Sequence, residues 1–88
     1  MPAPLVVSLP DYIEPAQRLA QRLGYDYQVF DIHWFPDDEC RVTVPTQATT
    51  HIIICQSLDH PNDKLVELML AADAARELGA ERLTLVAP

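Results

Sequence analysis

The sequence predicts an α/β fold: a mostly parallel sheet carrying one antiparallel hairpin. Three observations lead there. Two short, nearly continuous apolar runs, residues 5–9 and 51–55, have the pattern of strands buried on both faces. Each run is followed by a helical periodicity and then by a further strand pattern, which makes two crossover units and therefore parallel pairing. Between the two units, strand-like segments flank a turn at Pro36, Asp37 and Asp38, which is the pattern of a reversal.

The elements follow in order. Leu5, Val6, Val7, Ser8 and Leu9 form the first strand, and Pro10 stops it. Asp11 with Glu14 three residues later has the form of a capping box. Ile13, Ala16, Leu19, Ala20 and Leu23 then recur at helical spacing up to Gly24, which suits a C-terminal cap. Residues 25–32 mix aromatic and β-branched side chains and predict a second strand. From Cys40 to Val44, apolar and polar residues alternate, which predicts a third strand paired with the second.

A polar connection, residues 45–50, leads to the buried strand 51–55. Asp59, Pro61 and Asn62 supply helix-start chemistry, and Gly79 supplies the stop. Between them Leu65, Leu68, Met69, Ala72 and Ala75 predict an apolar stripe directed to the core. Residues 83–86 predict a final buried strand.

Composition narrows the function classes. With 49% hydrophobic and 22% charged residues, the 88-residue chain describes one globular domain rather than a disordered or fibrous segment. The net charge of −7 without any Lys/Arg cluster disfavours nucleic acid and anionic membrane as partners. Neither a secretory leader nor a run long enough to span a bilayer is expected, and the cytoplasm is the expected compartment. Cys40 and Cys55 lack metal-ligand spacing and read as two reduced thiols, Cys55 in the core. His33, His51 and His60 show no ligand spacing, so no metal site is expected. Gly24 and Gly79, the two glycines, both suit helix ends, so the chain has no phosphate-cradling glycine loop.

The densest chemistry lies around the reversal, where Asp31, His33, Trp34, Phe35, Asp37, Asp38 and Glu39 gather carboxylates, an imidazole and two aromatics. Aromatics can sandwich a planar ring, and carboxylates can accept from an amino group or hold a cation. The same residues also make a solvated turn whose aromatics cover a sheet edge. Gln56 and Ser57 end a parallel strand, where polar groups meet ligands or start the next connection. Asp73 reads as an exposed residue opposite the apolar stripe.

Four stretches carry a family resemblance in a fixed order. They are Phe35-Pro36-Asp37-Asp38-Glu39, Ile53-Ile54-Cys55-Gln56-Ser57, Asn62-Asp63-Lys64-Leu65-Val66-Glu67-Leu68, and Arg82-Leu83-Thr84-Leu85-Val86-Ala87-Pro88. Together they resemble the N-terminal part of ribose-phosphate pyrophosphokinases, from about Leu5 to the last residue. The resemblance implies a phosphoribosyltransferase-like fold and a partial N-terminal domain over residues 1–88. It further implies Mg-dependent transfer of a diphosphoryl group from ATP to ribose 5-phosphate, giving phosphoribosyl pyrophosphate and AMP, in a homo-oligomer. In such enzymes this hairpin helps form the adenine pocket of a neighbouring subunit. Phe35 is then expected to stack on adenine, while Asp37 and Glu39 accept from its amino group or fix the loop.

Trp34 stands where such proteins commonly carry a basic residue, and Gln47-Ala48-Thr49-Thr50 replaces an Arg-Gly turn. The catalytic loops of the family are expected beyond Pro88, so the chain alone is expected to be inactive and to bind neither ATP nor Mg tightly. The alternative is a non-catalytic interaction module that pairs with a full-length synthetase.

Overall fold

A computed structural model describes residues 4–37, 39–43, 50–59, 61–77 and 79–87. In chain order the elements are β1 (Leu5–Ser8), α1 (Ile13–Leu23), β2 (Asp26–Val29), β3 (Asp31–Trp34), β4 (Cys40–Thr43), β5 (His51–Cys55), α2 (Pro61–Glu77) and β6 (Arg82–Val86). A single 3-10 turn, Pro10–Tyr12, joins β1 to α1. Asp38, residues 44–49 and His60 lie outside the described residues, as does the part of the expected third strand at Val44.

Four strands form one parallel sheet in the order β2-β1-β5-β6, and β3 pairs with β4 as a separate antiparallel ribbon. The register sets Leu5 beside Ile52 and Val7 beside Ile54, so these four share one face, with Val6 and Ile53 on the other. The first face is covered by the ribbon and α2: Leu5, Val7, Leu9, Ile52 and Ile54 pack with Phe30, Val42, Ala71 and Ala75. The second face is covered by α1, where Ala16 and Ala20 meet Val6, Ile53 and Cys55. Burial on both faces is what makes β1 and β5 continuously apolar.

Both helices stop as their glycines require. Gly24 takes a left-handed φ of 71°, Gly24 N–H reaches the Gln21 carbonyl and Tyr25 N–H reaches Ala20. Gly79, at φ 100°, repeats the pair of bonds to Arg76 and Ala75. Both are Schellman endings, where a side chain would be strained.

Four expectations are corrected. The segment 25–32 is two strands, not one: β2 ends at Val29, Phe30 turns into the core at 1% exposure and gives its N–H to the Ser8 carbonyl, and β3 then leaves the main sheet. The capping box is absent: neither the start of the 3-10 turn nor that of α1 has a side-chain cap bond, because Asp11 is used elsewhere. The α2 stripe is rotated, with Ala71 and Ala75 buried while Leu65 and Met69 are 48% and 70% exposed. Its residues are apolar on several sides, so spacing alone leaves the helix phase open. Lastly, β6 is largely exposed rather than buried: among the described residues it pairs with β5 along one side.

Candidate functional site

In an open parallel sheet, ligands gather beyond the carboxyl ends of the strands. Here the ends of β1 and β5 are tied together by the chain's own polar groups. Gln56, fully buried, accepts from Leu9 N–H at 3.1 Å through Oε1, and its Nε2 donates to Asp11 Oδ1 at 2.8 Å and to the Ser57 carbonyl at 3.1 Å. Lys64, near the start of α2, pairs with Asp11 at 2.8 Å and with Asp59. Ser57 donates to Asp59 at 3.0 Å. The network joins the 3-10 turn, β5 and α2, and with two carboxylates on one ammonium it repels an incoming anion. Gln56 and Ser57 therefore serve the frame.

Burial pushes the Asp11 carboxyl up, but hydrogen bonds from Lys64 and Gln56 outweigh it and hold it below the ordinary aspartate value. Hydrogen bonds donated to the Asp11 and Asp59 carboxylates raise the Lys64 ammonium above the ordinary lysine value. A depressed carboxyl contributes stability above its unfolded value, lost as pH falls through the folded one. Urea midpoints should therefore drop as pH falls below about 4, and Lys64→Met should flatten that acid limb. An unchanged acid slope in Lys64→Met would contradict the assignment.

The second polar concentration is the ribbon and its cleft with α2. β3 and β4 pair from Asp31 with Thr43 to Trp34 with Cys40, and the turn closes with Phe35 N–H on the Glu39 carbonyl at 2.7 Å. Asp37 Oδ1 accepts from Glu39 N–H at 3.4 Å, which fixes the turn. Phe35 is half-buried, with the Arg41 guanidinium 5.6 Å from its ring centre and the His33 ring edge-on at 4.3 Å. Trp34 donates from Nε1 to Glu67 at 2.9 Å, latching the ribbon to α2.

Between ribbon and helix lies an open cleft of about 490 Å³, lined among others by Phe35, Glu39, Arg41, Leu70, Asp73 and Glu77. Of the three site residues expected from sequence, Phe35 and Glu39 line the cleft; Asp37 is exposed at the turn and does not. Arg41, Asp73 and Glu77 were not legible as site residues, because only the docking of β4 on α2 brings them to Phe35. The cleft holds an aromatic ring, an apolar wall and three carboxylates against one guanidinium. That combination suits a planar ring bearing amino groups and disfavours phosphate.

Cys40 and Cys55 are free thiols; burial pushes both up, Glu67 adding to the effect at Cys40. Both are thereby poor nucleophiles at neutral pH. Among the described residues, no group of three His, Cys, Asp or Glu is placed to hold a metal ion, and no helix is long and apolar enough to cross a membrane.

Comparison with known proteins gives the frame for this geometry. A purine phosphoribosyltransferase from Pyrococcus horikoshii superposes with a TM-score of 0.70 at 15% identity, over 94% of this chain and 58% of that one, so the fold is phosphoribosyltransferase-like. The ribose-phosphate pyrophosphokinase of Methanopyrus kandleri is 31% identical over 85 residues, which is 96% of this chain and 29% of that protein. That of Saccharolobus solfataricus is 41% identical over 56 residues, 61% of this chain and 19% of that protein. The chain thus spans under a third of the length of these relatives. Residues 5–88 match the family model of the N-terminal domain of ribose phosphate pyrophosphokinase, and the chain belongs to that family.

Proposed function

We propose that residues 1–88 are a partial N-terminal domain of an ATP-dependent ribose-phosphate diphosphokinase, which turns ribose 5-phosphate and ATP into phosphoribosyl pyrophosphate and AMP. The chain contributes the adenine-binding ribbon to a neighbouring subunit in a cytoplasmic homo-oligomer and is inactive alone. Neither nucleic acid nor membrane is a partner. The observation that carries this reading is the placement of Phe35 beside Glu39 and Arg41 at the mouth of an open cleft, in a chain of this family. Phe35 offers a face for the base, Glu39 an acceptor for its amino group, and Asp37 keeps the turn that presents both.

The charge balance supports a division of labour. Diphosphoryl transfer needs cations around the moving phosphates, whereas this cleft sets Glu39, Asp73 and Glu77 against Arg41. The described residues do not fit the magnesium such chemistry uses. The base is then held here and the phosphates elsewhere.

Amide NMR of the isolated chain titrated with ATP tests the reading. Millimolar ATP should shift Phe35, Glu39 and Arg41, and Phe35→Ala should remove those shifts, since one stacked base is worth roughly 1–3 kcal/mol. No AMP should form from ribose 5-phosphate, ATP and Mg. Shifts confined to residues outside the ribbon, or tight ATP binding that survives Phe35→Ala, would overturn it.

A further inference from the structure

Strand alternation divides the ribbon into two faces. Ile32 and Trp34 of β3 share one face with their cross-strand partners Val42 and Cys40, and Ile32, Val42 and Cys40 pack against the core there. His33 and its partner Arg41 lie on the other face, where both meet Phe35. Trp34 is the last residue of β3 and is 44% exposed, and its indole N–H reaches the Glu67 carboxylate. The turn that presents Phe35, Asp37 and Glu39 starts at the very next residue, closed by Phe35 N–H on the Glu39 carbonyl. Whatever fixes Trp34 therefore fixes the root of that turn.

The acceptor is offered from a helix that is itself pinned. Lys64, three residues before Glu67, is tied to Asp11 at 2.8 Å and to Asp59, and Ala71, four residues after it, is fully buried in the core. Counting on from Glu67, Leu70 and Ala74 follow along the same flank of α2, and both line the cleft together with Phe35. The latch and the cleft thus lie on one stripe of the helix. Cys40, across from Trp34, is close enough to Glu67 for its charge to add to burial in raising the thiol pKa. An indole only donates and a carboxylate only accepts, so the bond has one polarity and is charge-assisted. The ring has two side-chain torsions, so little entropy is lost in holding it.

We propose that Trp34 is a positioning residue of the base site: its hydrogen bond to Glu67 holds the ribbon tip on α2 and so sets Phe35 and Glu39 in the orientation that receives the base. It acts through Glu67 and not on the base, by lowering the cost of ordering the tip when the ligand arrives. The proposal rests on the nucleotide part of the function above.

Two measurements on the 88-residue chain test it. Trp34→Phe keeps an aromatic ring and deletes the donor, Glu67→Ala deletes the acceptor, and Glu67→Gln keeps one. In the amide titration, Trp34→Phe and Glu67→Ala should each raise the ATP concentration that half-saturates the Phe35 shift by roughly three- to tenfold, the range for one part-exposed hydrogen bond to a charged group. The double variant should lose no more than either single one, and Glu67→Gln should stay near the unmodified chain. Without ATP, Cys40 should react with iodoacetamide several times faster in Trp34→Phe, which keeps the Glu67 charge, with buried Cys55 as the internal reference. Circular dichroism should be unchanged. Equal half-saturation in Trp34→Phe and the unmodified chain, additive losses in the double variant, or an unchanged Cys40 rate would each overturn the proposal and leave the base reading standing. ATP that moves no ribbon residue even in the unmodified chain would overturn both. Phe35→Ala should abolish the shifts and leave the Cys40 rate as it is, which separates loss of the base from release of the tip.

Discussion

Phe30→Ala is expected to lower the unfolding free energy by roughly 3–5 kcal/mol, the range for removing a fully buried phenylalanine from a well-packed core. Phe30 is 1% exposed and packs in the cluster that joins Leu5, Val7 and Leu9 of the sheet to Val42 of the ribbon and Ala71 and Ala75 of α2. It also sits at the joint between β2 and β3, held by its N–H on the Ser8 carbonyl at 2.9 Å. Alanine leaves a cavity under three elements at once. For a chain of this size such a loss is a large share of a total of order 0.05–0.15 kcal/mol per residue. Urea unfolding monitored by circular dichroism should show the midpoint falling with little change in slope. A loss under about 1 kcal/mol would mean that the ribbon is not anchored through this ring.

Phe30 also marks a boundary of what the sequence discloses. The run from Tyr25 to Ile32 mixes aromatic and β-branched residues along its length, so strand propensity is continuous across a place where the chain changes partner from β1 to β4. Nothing local distinguishes a long strand from two short ones; the difference is made by the end of β1 at Ser8 and by the pairing of Asp31–Trp34 with β4, both distant in sequence. The strands β1 and β5 were legible because burial on both faces demands apolar residues at nearly every position. The helix α1 was legible because it has one buried face, carried by Ala16 and Ala20, and a glycine stop.

The helix α2 was legible in extent but not in phase. Leu65, Leu68, Met69, Leu70, Ala71 and Ala75 lie on several sides of it, and the choice between them is made by the sheet below and the ribbon beside it. Strand β6 looks from its sequence like β5, and only the strand order exposes it. At the candidate site, the turn residues Phe35, Asp37 and Glu39 share one short segment and could be named from it. Arg41, Asp73 and Glu77 come from two elements that are brought together by tertiary packing, so no spacing announces them. Asp11 misled for a related reason. Its spacing to Glu14 satisfies a local rule, but its partners Gln56 and Lys64 come from β5's end and from α2, and the charged one is a better donor than a helix terminus.

Gln56→Leu should cost roughly 2–4 kcal/mol although it nearly preserves volume, because the loss is polar. The Leu9 N–H would remain buried without its acceptor, and Asp11 would lose one of the two side-chain donors that hold its carboxylate. Gln56→Glu separates these effects. Its carboxylate still accepts from Leu9 N–H but faces Asp11 with a like charge, so near neutral pH it should be at least as destabilising as leucine. Burial and Asp11 both raise the pKa of a glutamate placed there. A group whose folded value is raised favours the folded state when protonated, so the deficit of Gln56→Glu relative to the unmodified chain should shrink as pH falls from about 7 toward 5, above the range where Asp11 itself titrates. Once protonated, the introduced carboxyl can donate to Asp11 as the amide did. A deficit that stays constant across that range would show that the amide acts through shape alone, and that the tie between β1, β5 and α2 is not made by its hydrogen bonds.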